Sequence, residues 1–273
     1  FNAWTHHHSQ ADKNHFTLSA FGDLYLRSYG YDGQASVYHN IVLITNASGV
    51  KQGEAEELGS GKFTQGHIVQ HASSAQFDFI DGDATDAYNK LYWGLGQPTD
   101  SFTVTSPGTV PTSAFNTVQW AHRYVSFSRS ADNIPAYFII ADDIQKDGSP
   151  HLYTWRFHSA KTRSVPGTNT VRLAGTNGYL DMYFASTSSL VDGTTACPLD
   201  KSGVRDLCTT QYTICDSPFA TDKTTAPVAD PYFHVALVPI KSGSGNATPT
   251  YATMPITNGS IVSLTWTNNY TNY

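Results

Sequence analysis

Charge is scarce in this chain. Of its 273 residues only 14% are Asp, Glu, Lys or Arg, and the formal balance is −6. A nucleic-acid partner would want a basic face, so that class of function is set aside. The same balance means that any hold on a polyanionic glycan must come from a local basic or neutral patch. No run of about 18 apolar residues occurs, so no membrane span is expected. No signal peptide is expected either. The chain opens on Phe1-Asn2-Ala3-Trp4 without an initiator Met, which suggests a mature or truncated product. Cysteine is limited to Cys197, Cys208 and Cys215. With no Cys-x-x-Cys pair a zinc site there is disfavoured. One local disulfide with one cysteine left over is the simple reading, and the pairing stays open. Neither an internal repeat nor a domain boundary is visible, so residues 1–273 read as one domain.

What the chain has in quantity is Tyr, Phe, Ser, Thr, Asn and Gly. β-Branched and aromatic residues fit a pleated, half-buried surface, and this is the profile of an extracellular, cell-surface or periplasmic β protein. Asn-x-Ser/Thr triplets at Asn46, Asn246, Asn258 and Asn269 permit glycosylation in such a setting.

Strand signals recur along the chain. Phe16, Leu18 and Ala20 alternate with Thr17 and Ser19, and Gly22-Asp23 then turns the chain into Leu24–Tyr29, which reads as a hairpin. Further strands are expected at Val37–Ile44, Phe77–Ile80, Tyr124–Phe127, Tyr137–Ala141 and Leu152–Phe157. Tyr179–Phe184, Phe233–Val238 and Ile261–Trp266 complete the set. The unbroken apolar run Tyr137-Phe138-Ile139-Ile140 predicts a strand buried on both faces. Asp147-Gly148-Ser149-Pro150 and Val165-Pro166-Gly167 read as punctuation between strands. One helical turn is expected at Ala84–Leu91, capped by Asp83. Gln97–Thr117 and Ser186–Ala229 read as long loops, a length that is uncommon and often functional. The fold class that follows is all-β: a large antiparallel β-sandwich, supersandwich-like, with few short helical turns.

Chemistry concentrates at the N-terminus, in His6-His7-His8-Ser9-Gln10-Ala11-Asp12-Lys13-Asn14-His15-Phe16. From His8 onward this run resembles the motif that opens the C-terminal β-sandwich domain of the heparinase II/III-like polysaccharide lyases. The landmarks that follow fit in order: Gly22, Gly30-Tyr31, His39-Asn40 before an apolar strand, Gly82-Asp83-Ala84-Thr85, His122-Arg123-Tyr124-Val125, and Trp155-Arg156-Phe157-His158. Beyond His158 the resemblance continues only as strand rhythm.

The resemblance implies β-elimination at a uronate of an acidic polysaccharide. A base removes the proton beside the carboxylate, an acid protonates the leaving oxygen, and donors quiet the carboxylate. In the family a helical toroid supplies a Tyr and an Asn or His, and the β-domain adds one His, which by position is His8. Its implied role is to bind the substrate carboxylate or to share in base catalysis; the plain alternative is that His8 caps the first strand. Gln10, Arg123, Arg156 and His158 are candidate substrate-binding residues, the last three as the basic patch a glycan needs. They could equally be cross-strand partners of carboxylates. Asp12 is expected to accept backbone hydrogen bonds in the turn before Phe16, orienting His8. Some family members hold a structural metal, and the matching positions here are Gln10, Arg27 or Ser28, and His39. Only His39 is a good ligand, so the site reads as degraded; a zinc or calcium ion there stays open, and no cofactor is required. The toroid is absent from this chain. The expected partner is therefore a helical chain cut from the same precursor. The alternatives are copies of this chain in a structural assembly, or a sugar-binding module stacking Trp93, Trp120 and Trp155 on a glycan.

Overall fold

The computed structural model describes residues 12–27, 39–45, 51–53, 66–88, 118–131, 134–167, 169–186, 190–195, 219–224, 230–245, 248–256, 259–266 and 271–272. In chain order the strands are β1 (Leu18–Ala20), β2 (Asp23–Leu26), β3 (Val42–Thr45), β4 (Lys51–Gly53), β5 (His67–Ser73) and β6 (Phe77–Asp83). After the short helix α1 (Thr85–Tyr88) come β7 (Trp120–Ser128), β8 (Tyr137–Gln145), β9 (Leu152–Arg156), β10 (Thr162–Gly167) and β11 (Thr170–Ala174). The remainder are β12 (Gly178–Ser186), β13 (Leu190–Thr195), β14 (Phe219–Thr224), β15 (Tyr232–Lys241), β16 (Thr250–Ile256), β17 (Gly259–Thr265) and β18 (Thr271–Asn272).

These form an eight-stranded sheet ordered β10-β11-β12-β15-β8-β7-β6-β5, a five-stranded sheet β13-β14-β9-β3-β4, a three-stranded sheet β16-β17-β18, and the β1-β2 hairpin. Every pairing is antiparallel. The expected sandwich is therefore present. Its main core lies between the two larger sheets, with Ile140, Ile144, Val235, Leu180 and Met182 from one meeting Val42, Ile44, Tyr153 and Trp155 from the other. A second cluster, Tyr137, Tyr183, Ala236, Val238 and Ile240 with Leu264 and Trp266, lies on the outer face of the large sheet under β17. The apolar run at the start of β8 follows from this layering. Ile140 points into the first cluster and Ile139 packs on the second, so both faces of the strand need apolar side chains.

Local chemistry sets the predicted turns. Phe21 and Gly22 both take positive φ (54° and 82°) between paired Ala20 and Asp23, the two-residue geometry that matches strand twist. At α1, the Asp83 carboxylate accepts the Thr85 N–H at 2.8 Å, the expected cap. Two expectations are corrected. Within the supposed loop 186–229, β13 and β14 pair in register, and β14 also pairs with β9. Val165-Pro166-Gly167 is not a turn but part of β10, where an edge position tolerates a proline that cannot donate to a ladder. The loop 97–117 lies outside the described residues.

Candidate functional site

The segments that carry the sequence motif converge on one buried polar network. Its centre is Arg123 on β7, only 3% exposed. Nε and Nη2 donate to the two oxygens of Asp142 on β8, at 2.7 and 2.9 Å. Nη1 donates to the backbone carbonyls of Asn14 (2.6 Å) and Asn40 (2.7 Å). The guanidinium plane lies over the Phe16 ring at 5.2 Å and the Trp155 ring at 5.9 Å, and Trp155 Nε1 donates to Asp142 at 2.8 Å. Planar, five-donor guanidinium is the side chain that can satisfy a carboxylate and two carbonyls at once.

Asn40, wholly buried, is the second hub. Its backbone N–H donates to His15 Nδ1 (2.8 Å) and its side-chain amide donates to the carbonyls of Phe16 (2.7 Å) and Arg27 (3.3 Å). Its side-chain oxygen accepts from the His158 backbone N–H (2.7 Å) and lies 3.1 Å from His158 Nδ1. These bonds fix two tautomers: the proton of neutral His15 sits on Nε2, and that of His158 on Nδ1. Asn14, in a left-handed turn (φ 62°), reaches across to donate to the Gly82 carbonyl at 2.9 Å. A Cβ at Gly82 would meet the Asn14 side-chain oxygen at 2.6 Å, so glycine is what lets the turn approach β6. The segment 14–16 is thereby held against the sheet with its direction fixed.

Electrostatics follow from burial. The His15 imidazole is held far below its ordinary range, at about 3, first by desolvation and then by the neighbouring His39 and Arg123. His39 is wholly buried and meets His15 edge-on, with ring centroids 5.3 Å apart. Of the positions matched to the family's metal, Gln10 and Ser28 lie outside the described residues. Among the described ones, Arg27 carries the wrong sign for a cation's ligand, and the cationic Arg123 disfavours a charge on His15.

Arg123, Arg156 and His158 do not form a solvent-facing basic patch, because all three are buried, at 3, 9 and 2% exposure. Arg123 is a cross-strand partner of a carboxylate, the other reading the sequence allowed. Trp155 is fully buried and cannot stack on a sugar, whereas Trp120 is half-buried and donates to Asp143 at 2.7 Å. Asp12 enters the predicted turn through its backbone carbonyl, which accepts the His15 N–H at 2.8 Å. His8, Gln10, Trp93, Cys197, Cys208, Cys215, Asn46, Asn246, Asn258 and Asn269 lie outside the described residues. Asn14 and Asn40 stand in the motifs and Asp142 follows the strand expected at Tyr137–Ala141, but nothing local in the sequence marks an amide or carboxylate as the hub of contacts this distant.

No protein-family model and no curated protein matches this chain. Solved structures do. A heparinase III gene product is similar with a TM-score of 0.57 at 11% identity, the match covering 96% of this chain and 36% of that one. A second structure of a heparinase III gene product, with methylated lysines, gives a TM-score of 0.54 at 11% identity, over 96% of this chain and 35% of its own. The chain thus spans about a third of the length of the structures it matches, and the likeness shows that it shares their fold.

Proposed function

We propose that this chain is the β-sandwich part of a secreted polysaccharide lyase that cleaves uronate-containing polysaccharide by β-elimination. The observation that carries the reading is the Arg123–Asn40 network, which gathers Asn14, His15, Phe16, His39 and His158, all members of the lyase-like motifs, around one centre. A rigid seat for the segment that follows His8 is what a catalytic histidine requires, since rate depends on holding the reacting groups in place. On this reading His8 meets the substrate carboxylate or shares in removing the adjacent proton. A helical partner supplies the rest of the cleft.

The test is release of unsaturated uronate from a panel of uronate polymers by the native material, after its mass and subunit composition are measured. A helix-rich partner in stoichiometric amount is expected. His8→Ala is expected to lower turnover by about 10²- to 10⁴-fold without changing the unfolding midpoint. Native material that includes such a partner but releases no unsaturated product from any polymer would sink the reading.

One observation favours a second reading, a lyase-derived assembly subunit. β5 is the edge strand of the large sheet among the described elements, is exposed along its length, and contains no Lys, Arg, Asp, Glu or Pro. Ile68 and Val69 are 57 and 59% exposed there. Uncharged exposed edges invite strand pairing between molecules. Self-association that Val69→Lys abolishes, seen by sedimentation at high concentration, is the expected result on that reading; a monomer at all concentrations removes it.

A further inference from the structure

The outer face of the eight-stranded sheet has two halves. One is sealed by the second apolar cluster under β17. The other, across β5, β6, β7, β8 and the start of β15, carries a different set of side chains. Register places His67, Asp83, His122, Asp143 and Tyr232 directly opposite one another in a row across all five strands. The adjacent row on the same face holds Gln70, Asp81, Tyr124, Ala141 and His234, and Trp120 stands beyond His122 on β7. Because side chains alternate along a strand, these residues share one surface and the buried Arg123 belongs to the other.

The rings lie nearly parallel. His122 stacks on Tyr124 with centroids 5.9 Å apart at 18°, and Tyr124 on Phe79 at 6.2 Å and 14°. Acidic groups flank them. His122 Nδ1 donates to Asp81 at 2.9 Å, and its Nε2 lies 3.8 Å from Asp83, beyond hydrogen-bond distance. Trp120 Nε1 donates to Asp143 at 2.7 Å. Side-chain exposures of 23% for His122, 12% for Asp81 and 30% for Asp83 leave these groups within reach of a ligand. Burial pushes the Tyr124 hydroxyl up, and Asp81, Asp143 and Asp83 add to it, which places all three carboxylates around that ring. Asp230 borders Asp143 closely enough that its carboxyl is raised, by burial first and by Asp143 second. Among the described residues of the two rows and Trp120 there is no Lys or Arg.

This chemistry selects a class of ligand. The rings of Trp120, His122 and Tyr124 offer apolar surface to the C–H groups of a pyranose, and carboxylate and imidazole acceptors suit its hydroxyls, the carboxylate bonds strengthened by charge. A uronate laid here would instead meet four carboxylates, and neither row supplies a lysine or arginine to offset them. We infer that this half of the outer face is a saccharide-binding surface for non-acidic sugars, with Trp120, His122 and Tyr124 as the platform and Asp81, Asp83 and Asp143 as hydroxyl acceptors. The inference does not depend on catalysis: the face would bind such sugars whether or not the chain belongs to a working lyase. If it does, the acidic unit is held elsewhere and this face takes non-acidic units of the same polymer.

The experiment is calorimetric titration of the full chain with three hexasaccharides: a neutral β-linked glucan, its N-unsubstituted amino-sugar counterpart, and a uronate oligomer. Asp143→Asn and His122→Gln are titrated in parallel, both nearly isosteric, with unfolding midpoints measured as a control. Binding of the neutral or the amino sugar is expected, weakened about tenfold or more in Asp143→Asn, in line with loss of a hydrogen bond to a charged group, and by a smaller factor in His122→Gln. An amino sugar that binds more tightly, with the preference lost in Asp143→Asn, would assign that carboxylate to the amine; equal binding of the two would assign it to hydroxyls. The proposal is overturned if neither non-acidic sugar binds, if both variants bind as the parent does, or if the uronate oligomer binds and is the one that the substitutions weaken. Should the variants unfold, quenching or shift of tryptophan fluorescence in the parent by the three sugars decides between the same outcomes.

Discussion

Replacing Arg123 by Ala is expected to destabilise the fold by about 3–5 kcal/mol, the range found when one partner of a buried ion pair is removed. The side chain makes two bonds to Asp142 and one each to the carbonyls of Asn14 and Asn40. Its removal leaves the Asp142 carboxylate buried at 5% exposure with Trp155 Nε1 as a donor but no counter-charge. It also strands two carbonyls and opens a space beside Phe16 and Trp155. Each of these is separately unfavourable, and they share one cause, so their costs will not simply add. Against a total stability of about 5–15 kcal/mol the loss is large. Arg123→Lys keeps the charge but not the planar fork, and a single ammonium cannot face the carboxylate and both carbonyls. It should recover only part of the loss. Urea unfolding of the three proteins is the check, with the midpoint falling and the slope unchanged. A loss under about 1 kcal/mol, the size of an ordinary surface ion pair, would mean that the network does not hold the motif segment to the sheet.

What could be read in advance was whatever depends on neighbours in sequence. The β1-β2 hairpin, the Asp83 cap and the two-sided burial of Tyr137–Ile140 all follow from local alternation, a turn pair or a continuous apolar run. β13 and β14 were missed because sequences such as Leu-Val-Asp-Gly-Thr-Thr are too polar to announce a strand, and they gain their structure from pairing with each other and with β9. The site was harder still. Arg123 finds its partners at Asn14 and Asn40, 109 and 83 residues away, and His158 finds Asn40 across 118. The sequence showed arginines and a histidine, which on average are exposed, and left a solvent-facing patch and cross-strand partners of carboxylates equally open. Only the fold shows Arg123 paired with Asp142, and His158 bonded to the Asn40 amide oxygen, in the interior. The row from His67 to Tyr232 was likewise invisible, because it exists only through the register of five strands.

Acid is expected to weaken the protein well before its carboxylates titrate, and His15 is the reason. In the unfolded chain this imidazole takes up a proton near its ordinary value of 6.5, and in the fold only near about 3. Between those values the unfolded state binds more protons, so stability falls as pH drops through 6.5 and stops falling from this source below about 3. Three features of the fold oppose the proton: burial of the ring, the neighbouring His39 and the cationic Arg123. A fourth is geometric, since protonated Nδ1 could no longer accept the Asn40 N–H at 2.8 Å. His234, lowered mainly by burial and partly restored by Asp142, adds in the same direction. Asp23 acts in a separate window. Its carboxyl is held below the usual range first by Lys161 and then by backbone N–H groups, so its contribution is present above its ordinary 3.8 and is lost only as pH falls further. From pH 7 to 4.5, His15 should therefore cost about 2–3 kcal/mol. His15→Asn supplies an amide oxygen that can take the same N–H bond but cannot titrate, so the variant should lose correspondingly less over that interval. Urea midpoints at half-unit steps of pH give the comparison directly. Parallel curves for parent and variant would show that His15 is protonated in the fold at ordinary pH, and the hydrogen bond that orders Asn40 would then have to be drawn differently.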